Sequence, residues 1–125
     1  MESLPRSDDE QSRLVAEAAV VWSQAERVYL APPKGDSDAW NAVERLAGKK
    51  ACKQVESLLI DLLSHPNQLV VAYALFTLEL MKSAACGSLP AQLLERKEKI
   101  SVLMGCFLNK MELGAFARQV QKRNR

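Results

Sequence analysis

Residues 69–81 read Leu-Val-Val-Ala-Tyr-Ala-Leu-Phe-Thr-Leu-Glu-Leu-Met, with Thr77 and Glu79 the two side chains that are not apolar. A segment that is apolar around its whole circumference must be covered around its whole circumference. This one falls short of the roughly 20 apolar residues that a bilayer crossing needs. It also exceeds the about 4–8 residues of a buried strand. It therefore reads as a central helix, spanning residues 67–85, wrapped by other helices.

Working outward toward the N-terminus, Ser64-His65-Pro66-Asn67 interrupts the chain just before that helix. Pro66 stops the preceding hydrogen-bond ladder, and Asn67 is a good N-cap. Upstream, Cys52, Val55, Leu58, Leu59, Leu62 and Leu63 form a helical stripe. A shorter stripe of Trp40, Val43, Leu46 and Ala47 precedes it, capped by Asp36 or Ser37. Gly48 either separates these two helices or kinks one continuous helix. Ala31-Pro32-Pro33-Lys34-Gly35 is a strong breaker, because proline disfavours the helical region in the residue before it. Ser7 with Glu10 forms a capping box, so the first helix is expected from Asp8 to Leu30.

Toward the C-terminus, Gly87-Ser88-Leu89-Pro90 is the next breaker, with Ser88 as cap. A fifth helix is expected to turn Leu93, Ile100, Leu103, Met104 and Phe107 inward and the run Glu95–Lys99 outward. A break near Leu108-Asn109-Lys110 leads to a sixth helix with Leu113, Phe116, Ala117 and Val120 on one face. Asn-Gly and Asp-Gly hairpin signals are absent, and no segment shows convincing period-2 alternation. The fold class expected is all-α, with about six helices in antiparallel helical hairpins joined by short connections.

The junction Leu62-Leu63-Ser64-His65-Pro66-Asn67-Gln68-Leu69-Val70-Val71-Ala72-Tyr73-Ala74-Leu75 resembles that of a HEAT-type helical repeat. Pro66, Val70, Ala72, Ala74 and Leu75 match that pattern. His65 stands where the family has its turn Asp, and Val71 stands where it usually has Arg. The likeness covers about residues 51–85. It implies either a short HEAT-like solenoid of three helical hairpins or, packed differently, a compact orthogonal bundle around the central helix. It also implies protein binding on the surface of successive second helices.

A chain of 125 residues, 48% hydrophobic, fits a single domain over residues 1–125 with residues 1–7 and 121–125 frayed. Residues 1–64 carry 8 Lys/Arg and 11 Asp/Glu, a net −3, whereas residues 65–125 carry 9 and 4, a net +5. Arg118, Lys122, Arg123 and Arg125 crowd the C-terminus. Cations there complement a helix dipole, and no aromatic or Gly-rich contact residues accompany them as nucleic-acid binding would want. Three cysteines, Cys52, Cys86 and Cys106, without Cys-x-x-Cys, argue against a disulfide framework or zinc site. The polar, acidic start is unlike a signal peptide, so a reduced, soluble, cytoplasmic protein is expected.

Phosphate-loop, dinucleotide and zinc-protease motifs are absent. His65, the single histidine, lies in a turn beside Ser64, and sequence adjacency does not make a nucleophile–base pair. Glu79 is the acid set inside the apolar helix, with Lys82 as local partner. No catalytic residue, metal ligand or cofactor is expected. The function expected is a non-enzymatic protein–protein interaction module, an adaptor or an immunity-type binding protein. Its partner would be another protein, with a homo-oligomer compatible and no membrane. The candidate interaction surface is Trp40, Lys49, Lys50, Lys53, His65 and Glu79. An alternative is a ligand-binding or enzymatic domain with an inter-helix cavity near Glu79. A second alternative is weak nucleic-acid binding through the basic C-terminus.

Overall fold

The structure, a computed structural model, describes residues 6–30, 37–48, 53–104 and 107–124, with side chains from Gln11 onward, that of Met104 excepted. Its centre is helix α4, Gln68–Leu80. As the composition demands, every residue from Val70 to Leu78 is buried. The cover comes from α1 (Arg6–Ser23), α2 (Asp38–Ala47), α3 (Lys53–Leu62) and α6 (Leu113–Arg123), with strands β1 (Val28–Tyr29) and β2 (Lys99–Met104) closing the remaining side. Trp22 stacks on Tyr73 with ring centroids 5.7 Å apart and donates its indole N–H to the Ala39 carbonyl at 3.1 Å. One apolar cluster thereby joins α1, α2 and α4.

The starts of α2 and α4 follow side-chain chemistry. The Ser37 hydroxyl accepts the Trp40 N–H at 3.2 Å. The Asn67 side-chain oxygen accepts the N–H groups of Leu69 and Val70 at 2.8 and 3.2 Å. Thr77 is buried without penalty because its hydroxyl donates to the Tyr73 carbonyl at 2.8 Å. α4 stops at Leu80, earlier than residue 85 as expected, because Lys82 takes a left-handed φ of 60°. The Ser83 N–H then reaches back to the Leu78 carbonyl and the Lys82 N–H to that of Glu79, both at 3.0 Å, in a Schellman termination.

The expected first helix is also shorter than its periodicity suggested. It ends at Ser23, and Val28 and Tyr29 leave it to form β1. The buried Tyr73 hydroxyl accounts for the change. It donates to the Arg27 carbonyl at 2.5 Å and accepts the Tyr29 N–H at 3.1 Å, replacing bonds a continuing helix would have supplied. Burial pushes the Tyr73 phenol up to about 12, so it remains a donor.

The largest correction is the expected fifth helix. A single turn, α5 (Ala91–Leu94), is all that forms, and β2 and β3 (Phe107–Glu112) occupy the rest. β1 runs parallel to β2 with Val28 opposite Val102 and Tyr29 opposite Leu103. β2 runs antiparallel to β3, from Lys99 opposite Glu112 to Met104 opposite Phe107. The fold is thus mostly helical with a three-stranded sheet ordered β1-β2-β3, rather than all-α. The β-branched Ile100 and Val102 alternate with Ser101 and are 2% and 1% exposed, which suits a half-buried strand. The third of the expected helical hairpins is therefore a β-hairpin followed by α6. The α3–α4 helical hairpin is present, joined through the His65-Pro66 turn.

Candidate functional site

The hairpin also creates the most exposed apolar surface among the described residues. Phe107 is 76% exposed and Leu108 47%. Directly opposed residues on neighbouring strands share a face, so Phe107, Asn109 and Met111 lie on the body side with Ile100 and Val102. Cover beneath β3 runs out along its length: Met111 is half-buried, Asn109 exposed and Phe107 bare. Leu108 and Lys110 point to the opposite face, with Leu103 and Ser101. The hairpin end therefore presents apolar groups on both faces.

The backbone of β3 is equally open. The Leu113 N–H donates to the Glu98 carbonyl at 2.8 Å, which makes that opposed pair a hydrogen-bonded one. Alternation along an antiparallel ladder then turns the backbone groups of Phe107, Asn109 and Met111 toward β2. On the other side of β2, the Leu103 carbonyl accepts the Leu30 N–H at 3.1 Å, as the same alternation requires. Leu108 and Lys110 consequently direct both N–H and C=O away from the sheet, and Glu112 its N–H. Among the described residues no strand pairs with that outer side. Edge strands usually carry a guard against unwanted pairing, and here the sole guard on the open stretch is Lys110.

The corner that launches the hairpin is rigidly built. The Arg96 guanidinium donates to the carbonyls of His65 and Pro66 at 2.7 and 3.0 Å and pairs with Glu98 at 2.6 Å. The hydrogen bond from Arg96 holds the Glu98 carboxyl below the usual carboxylate range. The Arg96 carbonyl accepts the Gly114 N–H at 2.8 Å. One residue thus ties the α3–α4 turn, the root of β2 and the start of α6 together.

The six surface residues singled out in the sequence do not converge. Trp40 is half-buried and packs against Phe76, centroids 6.1 Å apart. Lys53 is exposed at the start of α3, and Lys49 and Lys50 lie outside the described residues. His65 is fixed in its turn, its Nδ1 accepting the Asn67 N–H at 3.0 Å. Glu79 sits at the other end of α4, 18% exposed, where Arg123 and Asn124 donate to its carboxylate from 2.9 to 3.0 Å. Its partner is therefore long-range rather than Lys82, and the bond raises the Arg123 pKa. Arg118 and Lys122 are exposed along α6, and Arg125 lies outside the described residues.

Three cavities bear on the inter-helix site expected near Glu79. A cleft of about 510 Å³ is lined by residues including Glu26, Arg27, Tyr29 and Asp38. One of about 320 Å³ lies between α1 and α2, and one of about 130 Å³ beside Arg96. None of the three borders Glu79. No group of three or more potential metal ligands comes together among the described residues. Cys86 is fully buried, and that burial, with Glu79 and Glu56 nearby, pushes its thiol up to about 11, far from a reactive thiolate. Cys52 and Cys106 lie outside the described residues. Among the described residues no helix is long and apolar enough to cross a membrane.

The hairpin is masked in the sequence because Ile100, Leu103, Met104 and Phe107 also satisfy helical spacing. Two signals pointed the other way. Lys99-Ile100-Ser101-Val102 alternates at period 2, and Gly105-Cys106 is a Gly-first pair between two apolar runs, a recognised hairpin pattern. Comparison with protein-family models, with curated proteins and with solved structures gives no significant match to this chain.

Proposed function

We propose that this chain is a non-enzymatic protein–protein interaction module of adaptor or immunity type, built on a HEAT-like helical hairpin, and that the β2–β3 hairpin is its docking element. The observation that carries this reading is the combination on one strand of a bare Phe107, a half-exposed Leu108 and an unpaired backbone edge. Aromatic residues at a patch centre are frequent anchors of binding energy. Among the described residues, the groups that could support a competing chemistry, His65, Glu79 and Cys86, are each engaged or buried.

The test is capture of cross-linked partners from the native host with the wild-type chain and with the double variant Phe107→Ser, Leu108→Ser. Both side chains are exposed, so the variant should fold and melt like the wild type. Partners captured by the wild type should be lost from the variant. A variant that captures the same proteins, or a wild type that captures none, overturns the proposal.

A further inference from the structure

We infer that the outer edge of β3 accepts an extended segment of another protein as an added antiparallel strand, and that this segment reads acidic–x–apolar–apolar. The inference rests on the interaction reading above and adds the mode of binding and the chemistry of the partner.

The backbone supplies the mode. Leu108 and Lys110 each offer an N–H and a C=O on the open side, the spacing that an incoming strand satisfies with pairs of bonds at alternate residues. The side chains supply the sequence. Lys110 is exposed, lies across from the neutral Ser101, and has no hydrogen-bond or ion-pair partner among the described residues. The other charges on that face of the hairpin, Lys99 and Glu112, oppose each other and cancel. Among the described residues one uncompensated cation therefore marks the edge, and an opposed carboxylate complements it. In an antiparallel partner the residue two further on faces Leu108 and the next faces Phe107, on the other face of the sheet. Apolar groups at both positions cover the bare side chains.

A second copy of the chain fits the same edge poorly in the registers that preserve the faces of the sheet; with the two-fold axis at Leu108, only residues 107–109 of the two strands oppose each other. With the two-fold axis at Lys110, the two lysines oppose each other. With the axis at Asn109, Lys110 opposes Leu108 and the lysines become diagonal neighbours. With the axis at Met111, Lys110 meets Glu112, but Leu108 then opposes Gly114, which is buried in α6, and the hairpin end stays uncovered. Charge and length together favour a heterologous segment.

The experiment titrates labelled synthetic peptides into the full chain and follows the Leu108 and Lys110 amide signals. The probe is Thr-Thr-Glu-Thr-Val-Val-Thr, with a counterpart carrying Lys for Glu. Two further peptides are N-methylated, one on the first Val, whose N–H would point at Leu108, and one on the Thr before it, whose N–H would point to solvent. The Glu peptide should bind about fivefold more tightly than the Lys peptide, and Lys110→Glu should reverse that order. Methylation on the Val should weaken binding at least about tenfold, and methylation on the Thr should leave it unchanged. Absence of binding, equal affinity of the Glu and Lys peptides, or indifference to the Val methyl overturns the inference. So does a concentration-dependent dimer of the chain alone that Lys110→Glu abolishes, which would assign the edge to a second copy. Partner capture that depends on Phe107 and Leu108, beside peptides that fail these criteria, would leave the interaction module standing and remove strand addition alone.

Discussion

Gly114→Ala should destabilise this protein although it replaces glycine by the best helix former. The new methyl would lie 2.4 Å from the Leu94 carbonyl oxygen, 2.7 Å from that of Arg96 and 2.9 Å from the Leu94 carbonyl carbon. Carbon-to-oxygen contacts in proteins begin near about 3.3 Å, so the first turn of α6 would have to retreat by roughly 1 Å. The obstacles are backbone atoms, which cannot swing aside as a side chain can. Overpacking of this kind costs about 1–3 kcal/mol. Retreat also stretches the Gly114 N–H bond to Arg96, now 2.8 Å, and an orphaned buried donor costs about 1–3 kcal/mol. Helix propensity returns at most about 1 kcal/mol. The net loss is about 1–5 kcal/mol, centred near a fall of roughly 10 °C in melting temperature for a domain of this size. Urea unfolding should show a lower midpoint at an unchanged slope. Gly48→Ala is the control: its methyl would meet Glu44 and Arg45 oxygens at 3.4 and 3.5 Å, with φ already at −65°, so it should be neutral or stabilising by up to about 1 kcal/mol. Equal stability of the two variants would refute the packing of α6 against the α5 corner.

Other consequences can be measured in the same way. Tyr73 rises from 10.0 to about 12 and Cys86 from 9.0 to about 11, so the folded state holds both protons more tightly than the unfolded chain. Stability should be flat in that respect below about pH 9 and fall as pH rises toward about 12. Cys86→Ala should flatten the lower part of that fall and Tyr73→Phe the upper part, in urea titrations across the range. Lys82→Gly should raise stability by up to about 1 kcal/mol, since a left-handed φ strains any residue with a Cβ; a loss would argue against the Schellman end of α4. Asn67→Ala should cost about 0.5–2 kcal/mol through the lost cap, read as a lower urea midpoint. Arg96→Lys cannot restore the forked contacts to His65, Pro66 and Glu98 and should cost about 1.5–3 kcal/mol, with the largest gain in amide exchange at the α3–α4 turn and the hairpin root.

The central helix and its cover were legible in the sequence by themselves. A run from Val70 to Leu78 with no wet side can be stable only when sheathed, whatever sheathes it, and Asn67 and Ser37 cap wherever a helix follows them. These are local or compositional facts, independent of the rest of the chain. The ends of helices and the identity of the sheath were decided by contacts across long sequence separations. Val28 and Tyr29 satisfy helical periodicity, but the Tyr73 hydroxyl, 44 residues on from Tyr29, holds them extended. Residues 99–112 suit a helix or a strand nearly equally, and the pairing of β2 with β1 and the anchoring of Arg96 tip that balance. Glu79 looked for a partner within its own helix and found Arg123, 44 residues away. The candidate docking edge belongs wholly to this second class, because an unpaired strand edge is defined by which strands lie beside it, and that arrangement exists once the chain has folded.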